Sequence, residues 1–229
     1  MALLAGDVIN HARDMHPALS VVNAPAVVGY RAISRFQGDL VEQIAARQPG
    51  FLAETLTVAL PLATFASGIN LTTLITSGWL ALEDMFARLT SDSDTTRWPL
   101  RCENVPWGQR DMAQPWPAFT MRNDVLYLLG TETDWSVMSS LRISYTAQPA
   151  DVTQDSSALV VPLDARETLA TSLCAFYLSR LVSEPTHRVT SEMASVWDTK
   201  ADTERSRFLG RIGRTGQKQR FRVRNVMGY

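Results

Sequence analysis

The sequence predicts an α+β protein: a helical bundle with an inserted small β subdomain and an extended basic C-terminal arm. Apolar residues recur at three- and four-residue steps near both ends of the chain, as they do on one face of a helix. The middle instead holds β-branched and aromatic runs punctuated by Pro, Gly and Trp. Residues 205–229 carry eight basic side chains and no Asp or Glu. The boundaries fall at 1–50 for the N-terminal helices, 51–150 for the β-rich insertion, 151–204 for the C-terminal helices and 205–229 for the arm.

Taken in order, Asp7 is placed to cap a short helix from Val8 to Met15, which the His16-Pro17 step stops. Asn23 is the next cap, and Pro25 sits where a first turn tolerates proline. From Val27 to Ala46 the residues Val27, Tyr30, Ile33, Phe36, Leu40, Val41 and Ile44 form one apolar face. Arg31, Arg35, Gln37, Asp39, Glu42 and Gln43 fill the other positions, and Pro49-Gly50 ends the helix.

Thr55–Leu60 and Ile69–Ile75 lean toward strand, with Ser67-Gly68 between them. Leu80–Leu89 reads as a short helix. Trp98-Pro99, Pro106-Trp107-Gly108 and Pro115-Trp116-Pro117 make long loops. Strand signals return at Ala118–Met121, Val125–Leu129 and Leu141–Tyr145, with Asn123-Asp124 and Gly130 as turns.

In the last third, Leu159–Leu163 leads to Asp164 as a cap, and Leu169, Leu173, Phe176, Tyr177 and Leu181 share a helix face. Pro185 breaks the chain. Val189, Met193, Val196 and Trp197 mark a further helix, which Gly210, Gly213 and Gly216 are expected to interrupt.

The chain has 229 residues, 45% of them apolar, enough to bury a core. The longest apolar run, Phe51–Leu62, is shorter than the roughly 18 residues a membrane span needs and is broken by Glu54 and Pro61. No membrane partner is expected, and no basic, apolar leader is visible at the N-terminus. Cys102 and Cys174, two cysteines with no short spacing, support neither a zinc site nor a disulfide framework, so a reducing compartment is expected. The net charge of −1 conceals a division. Of 22 basic residues eight lie beyond position 204, so residues 1–204 hold fourteen against 23 acids, a balance of −9. All the basic residues but Lys200 and Lys218 are arginine, which pairs bidentately with carboxylate or phosphate.

No catalytic, cofactor or metal signature emerges: G-x-S-x-G, H-E-x-x-H and the phosphate loop G-x-x-x-x-G-K-[ST] are all missing. Gly210, Gly213 and Gly216 follow no strand, which favours a flexible basic arm over a phosphate cradle. Asp7, His11 and Asp14 share a helix face, read as solvated or interfacial rather than metal-binding. His187 reads as a cap or surface residue, and Cys174 as a small core residue. Cys102 has no neighbouring base to activate it. Trp79, Trp98, Trp107, Trp116 and Trp135 suit either a contact surface or the core of the β subdomain, with a carbohydrate platform of exposed coplanar rings as a lesser alternative.

The arm is the sharpest feature. Arg205, Arg207, Arg211, Arg214, Lys218, Arg220, Phe221, Arg222 and Arg224 are the candidate partner-binding residues. The alternation of Arg220, Arg222 and Arg224 around Phe221 and Val223 suits strand addition to a partner's sheet. An arm that grips nucleic acid and a solvated tail without a role are the competing readings.

Two stretches carry a family likeness. Asp7-Val8-Ile9-Asn10-His11-Ala12-Arg13-Asp14 leads into Ala32-Ile33-Ser34-Arg35-Phe36-Gln37-Gly38-Asp39-Leu40. The strand Leu141-Arg142-Ile143-Ser144-Tyr145 is followed by a turn at Pro149 and Asp151 and by the strand Leu159-Val160-Val161-Pro162-Leu163, then by the helix Leu169-Ala170-Thr171-Ser172-Leu173. In this order the chain resembles the head-to-tail adaptor, or neck, proteins of tailed bacteriophages, over 7–48 and 138–205. The Trp/Pro-rich section at 90–135 lies outside the likeness.

The resemblance implies a structural, non-enzymatic virion protein in the neck between capsid and tail, made in the host cytoplasm. It implies a homo-oligomeric ring, commonly a dodecamer, that joins the portal protein above to tail or nozzle proteins below. The genomic DNA would pass through its channel without specific binding, and an acidic wall would not grip passing phosphates. C-terminal segments in this family commonly reach toward the portal, which assigns the arm to that contact. Another tail or baseplate subunit, a DNA-binding protein and an enzyme with an unrecognised site are the rivals.

Overall fold

The computed structural model describes residues 2–60, 67–94, 96–112 and 116–224, with side chains to residue 213 apart from Pro185. Its elements run α1 (Ala5–Asp14), α2 (Ala26–Arg47), β1 (Ala53–Ala59), β2 (Ile69–Asn70), α3 (Leu71–Leu74), β3 (Trp79–Leu89), β4 (Leu100–Arg101) and β5 (Glu103–Asn104). They continue with β6 (Ala118–Arg122), β7 (Val125–Leu128), α4 (Glu132–Trp135), β8 (Met138–Ala147), α5 (Arg166–Leu181) and α6 (Ser191–Arg224). Helix and strand are both abundant, so the class is α+β. The chain divides into two compact units, residues 1–52 with 149–229 and residues 53–148.

In the first unit α5 is the central helix. It is apolar or small nearly all round, as a helix with neighbours on several sides must be, and it packs on α1, α2 and α6. Leu169, Leu173 and Leu178 are fully buried, each worth roughly 1.5–3 kcal/mol against exposure. Its buried hydroxyls are satisfied locally: Thr171 donates to the Glu167 carbonyl at 2.7 Å and Ser172 to that of Thr168 at 2.9 Å. Tyr177 is buried, and its hydroxyl donates to the Pro25 carbonyl at 2.9 Å. Burial pushes that phenol up to about 12.

Helix α2 reaches α5 because residue 29 is glycine. A Cβ there would stand 2.5 Å from the Tyr177 hydroxyl and 3.2 Å from Ile9. Farther along α2, two polar side chains fasten the segment that leads to α5. Gln37, buried among apolar residues, accepts from the Val160 N–H at 2.8 Å, and the Ser34 hydroxyl accepts from that of Val152 at 2.8 Å. The same segment is tied to α1 by the N–H groups of Ala5 and Gly6, which donate to Ser157 and Asp155 carbonyls at 3.0 and 2.9 Å.

The second unit holds two four-stranded sheets, ordered β1-β8-β3-β4 and β2-β7-β6-β5. Strand β8 is central, antiparallel to β1 with Ala53 opposite Thr146 and to β3 with Met85 opposite Ile143. Met85, Leu141, Ile143, Phe119, Leu126 and Trp135 bury in one core. The chain passes from β4 to β5 at Cys102, whose side chain is buried and whose N–H donates to the Met85 carbonyl at 2.8 Å. Asn123 and Asp124 both take positive φ, 50° and 63°, and form the tight turn that joins β6 to β7.

Several sequence expectations change. Leu80–Leu89 is strand β3, not a helix. Its residues are good helix formers, but pairing with β8 along most of its length and the burial of Met85 and Ala87 override local propensity. The run Ile69–Ile75 keeps only two strand residues, because the Asn70 side chain accepts from the Thr73 N–H at 3.3 Å and starts α3. Leu159–Leu163 is not a strand; the nearby pairing is an isolated bridge between Leu4 and Ala158. Asp7 lies inside the first turn of α1, not at its cap; Asn23 donates to the Ala18 carbonyl instead of capping; Asp164 lies in a 3-10 turn before α5. Gln37 is buried rather than a surface filler.

The largest correction concerns the arm. Through Arg224 it is not extended but continues α6 as helix. A glycine costs about 1 kcal/mol against alanine inside a helix, but Phe208, Leu209 and Ile212 bury on both sides of Gly210 and hold the turn. The Arg, Gln and Lys residues beyond are good helix formers, and basic residues suit the negative end of the helix dipole. Pro61–Leu62, Pro115 and Asn225–Tyr229 lie outside the described residues.

Replacing Gly29 by alanine should destabilise the chain by about 1–3 kcal/mol in urea unfolding. Tyr177→Phe removes the nearest atom, so the double variant should lose less than the sum of the two single losses; strict additivity would contradict the contact.

Candidate functional site

Helix α6 spans 34 residues, or about 51 Å. Ala194, Ala201, Phe208, Leu209 and Ile212 are buried and Trp197 is half-buried, so one stripe of the helix faces the core. Trp197 also carries the Lys200 ammonium 4.1 Å from its ring centre and meets the edge of the His16 ring at 6.1 Å.

Charge along α6 is segregated. Glu192, Asp198, Asp202 and Glu204 precede Arg205, with Lys200 as the one basic residue among them, and every ionisable side chain from Arg205 to Arg224 is basic. Acid therefore lies toward the positive end of the helix dipole and base toward the negative end. Arg205 is half-buried beside the packed stripe. Arg207 is exposed and donates to Glu204 Oε1 at 2.6 Å, and the exposed Arg211 lies 5.9 Å from the centre of the Phe208 ring.

The side chains of Arg214, Lys218, Arg220, Phe221, Arg222 and Arg224 lie outside the described residues, but their backbone is helical. Positions 207, 211, 214, 218 and 222 follow at steps of four, three, four and four, so the backbone sets them along one line of about 22 Å. Positions 220 and 224 fall on another flank. The period-two reading of Arg220, Arg222 and Arg224 is thereby replaced: a helix with a basic stripe is presented here, not a strand to be added to a sheet.

The other candidates resolve locally. His11 pairs with Glu167 Oε2 at 2.7 Å, a partner on α5 that sequence spacing gave no hint of, and Asp7 and Asp14 do not join it. His16 accepts from the Ala18 N–H at 3.1 Å, and His187 pairs with Glu184 at 2.9 Å. Among the described residues no group of three His, Cys, Asp or Glu is placed to hold a metal, and no helix is long and apolar enough to cross a membrane. Cys102 and Cys174 are buried, and desolvation pushes both thiols up to about 12.

The tryptophans differ in burial. Trp135 is core, with its indole N–H donating to the Leu129 carbonyl at 2.8 Å. Trp116 is 45% exposed, and Trp107 lies under two guanidiniums, Arg110 at 4.1 Å and Arg122 at 5.0 Å. A cleft of about 430 Å³ beside Cys102 is lined by Asp84, Arg101 and Glu103, and Arg101 is neutralised by Asp84 at 2.9 Å. A larger groove, about 620 Å³, lies along α2 and exposes Arg31 and Arg35, which sequence reasoning had treated only as polar filler. No protein-family model matches the chain, and no curated protein matches it.

Because a Cβ at Gly210 or Gly213 meets open space, alanine at each should stabilise the chain by about 0.5–1 kcal/mol in thermal unfolding. Destabilisation would contradict a continuous helix. In the native chain at pH 8 both thiols should resist a disulfide reagent that labels them at once after unfolding; rapid native labelling of either would contradict its burial.

Proposed function

We propose that this chain is the ring-forming subunit of a phage head-to-tail connector, a helical body with an inserted β module that docks to its partner through the basic end of α6. The observation that carries this reading is the course of α6: fixed to the body as far as Ile212, then running about 18 Å farther as helix, with every ionisable residue basic. A helix seated on a folded body presents its charges in fixed order, so less freedom is lost on docking than with a loose tail. Repeated around a ring of identical subunits, modest single contacts sum to strong avidity. Arginine forks suit the carboxylates of a portal or a neighbouring subunit. The likeness over 7–48 and 138–205, less the second strand at Leu159–Leu163, supports the same assignment.

The same five-position stripe favours one other reading, a helix that grips duplex phosphates. The two differ in their dependence on salt and on partner. Charge reversal at Arg214, Lys218 and Arg222 should abolish docking of the full-length chain to isolated portal rings in electron micrographs. Reversal at Arg220 and Arg224, off the stripe, should cost much less. Normal docking by the stripe variant would overturn the proposal. Tight duplex binding by the wild type, falling steeply with salt and lost in that variant while docking persists, would establish the rival.

A further inference from the structure

We infer that the groove on α2 binds an acidic peptide segment, its carboxylates on Arg31 and Arg35 and an apolar side chain over Val27. The groove is lined by Val27, Tyr30, Arg31, Ser34 and Arg35 on the helix and by residues 151–153 opposite. Arg31 and Arg35 are exposed and stand one helical turn apart. Among the described residues neither guanidinium has a hydrogen bond or an ion pair. No Asp or Glu occurs in α2 before Asp39, and Asp151 on the facing segment is the one carboxylate that lines the groove.

The other polar groups of the wall are engaged. The Ser34 hydroxyl donates to the Tyr30 carbonyl at 3.0 Å while accepting from the Val152 N–H. The Tyr30 hydroxyl donates to Asp155 Oδ1 at 3.0 Å. These contacts fix the wall and leave the two guanidinium forks as donors for oxyanions.

One feature selects a carboxylate-bearing chain over phosphate. Val27 is 66% exposed at the same groove, an apolar surface that a small inorganic ion would leave in water. A peptide with acids one turn apart and an interspersed apolar residue satisfies the arginines and Val27 together.

The test uses the full-length chain with Arg207, Arg211, Arg214, Lys218 and Arg222 changed to glutamine, so that α6 does not capture the probe. A labelled peptide of repeating Glu-Glu-Leu is titrated by fluorescence anisotropy. It should bind, and Arg31→Gln with Arg35→Gln in the same background should weaken binding by about tenfold or more. Val27→Asp should weaken it severalfold, and inorganic phosphate at matched ionic strength should not displace the peptide. Both altered sites are exposed, and unchanged circular dichroism confirms that the variants fold. Equal binding by the double arginine variant, or displacement by phosphate, would overturn the inference. Because the α6 stripe is absent from every protein compared, neither result bears on the connector proposal.

Discussion

The seam where α6 lies on the helical core fixes the direction of everything beyond it. Phe208 is fully buried and Ile212 nearly so, and they close a stripe that starts at Ala194. Burying two large side chains contributes several kcal/mol, more than the two glycines at 210 and 213 cost the helix. The last firmly packed turn therefore sets the axis on which the next three turns continue, and with it the line taken by positions 214, 218 and 222. Without the seam the same residues would be a charged tail with no preferred geometry.

Charge order follows the same axis. Acids in the first half of α6 and bases in the second both complement the helix dipole, a modest gain of a few tenths of a kcal/mol each near the ends. That gain explains why segregation is tolerated but not why eight basic residues accumulate, since solvated like charges repel. A partner that neutralises them is the physical reason the proposed docking supplies. The β unit follows a different logic, with an apolar core of Met85, Ile143, Phe119 and Trp135 and with the guanidiniums of Arg110 and Arg122 against the Trp107 ring.

Legibility in the sequence followed the locality of the interaction. The face of α2 and that of α5 were readable because Leu40, Val41 and Ile44, and likewise Leu169, Leu173 and Tyr177, repeat at helical steps. The Asn123-Asp124 turn was readable because few residue pairs accept two successive positive φ values. Strand β3 was not, since Leu80–Leu89 is made of helix formers and only its distant partner β8 makes it a strand. Gly210 and Gly213 misled for the same reason: the burial that retains helix there comes from elsewhere in the fold. The basic residues were found as a set by composition, but their arrangement as a stripe depends on helix and not on the alternation seen near Phe221. The groove arginines were invisible, because a polar position on a helix says nothing about what lies opposite.

The most direct test is residue-resolved NMR of the full-length chain, reading Cα chemical shifts and amide exchange from Ala201 to Arg224. Helical shifts that continue through positions 214, 218 and 222, with protection declining smoothly beyond Ile212, are the expected result. Random-coil shifts beginning at Gly210 or Gly213, with unprotected amides from there onward, would mean that the basic residues share no face, and the seam would then orient nothing.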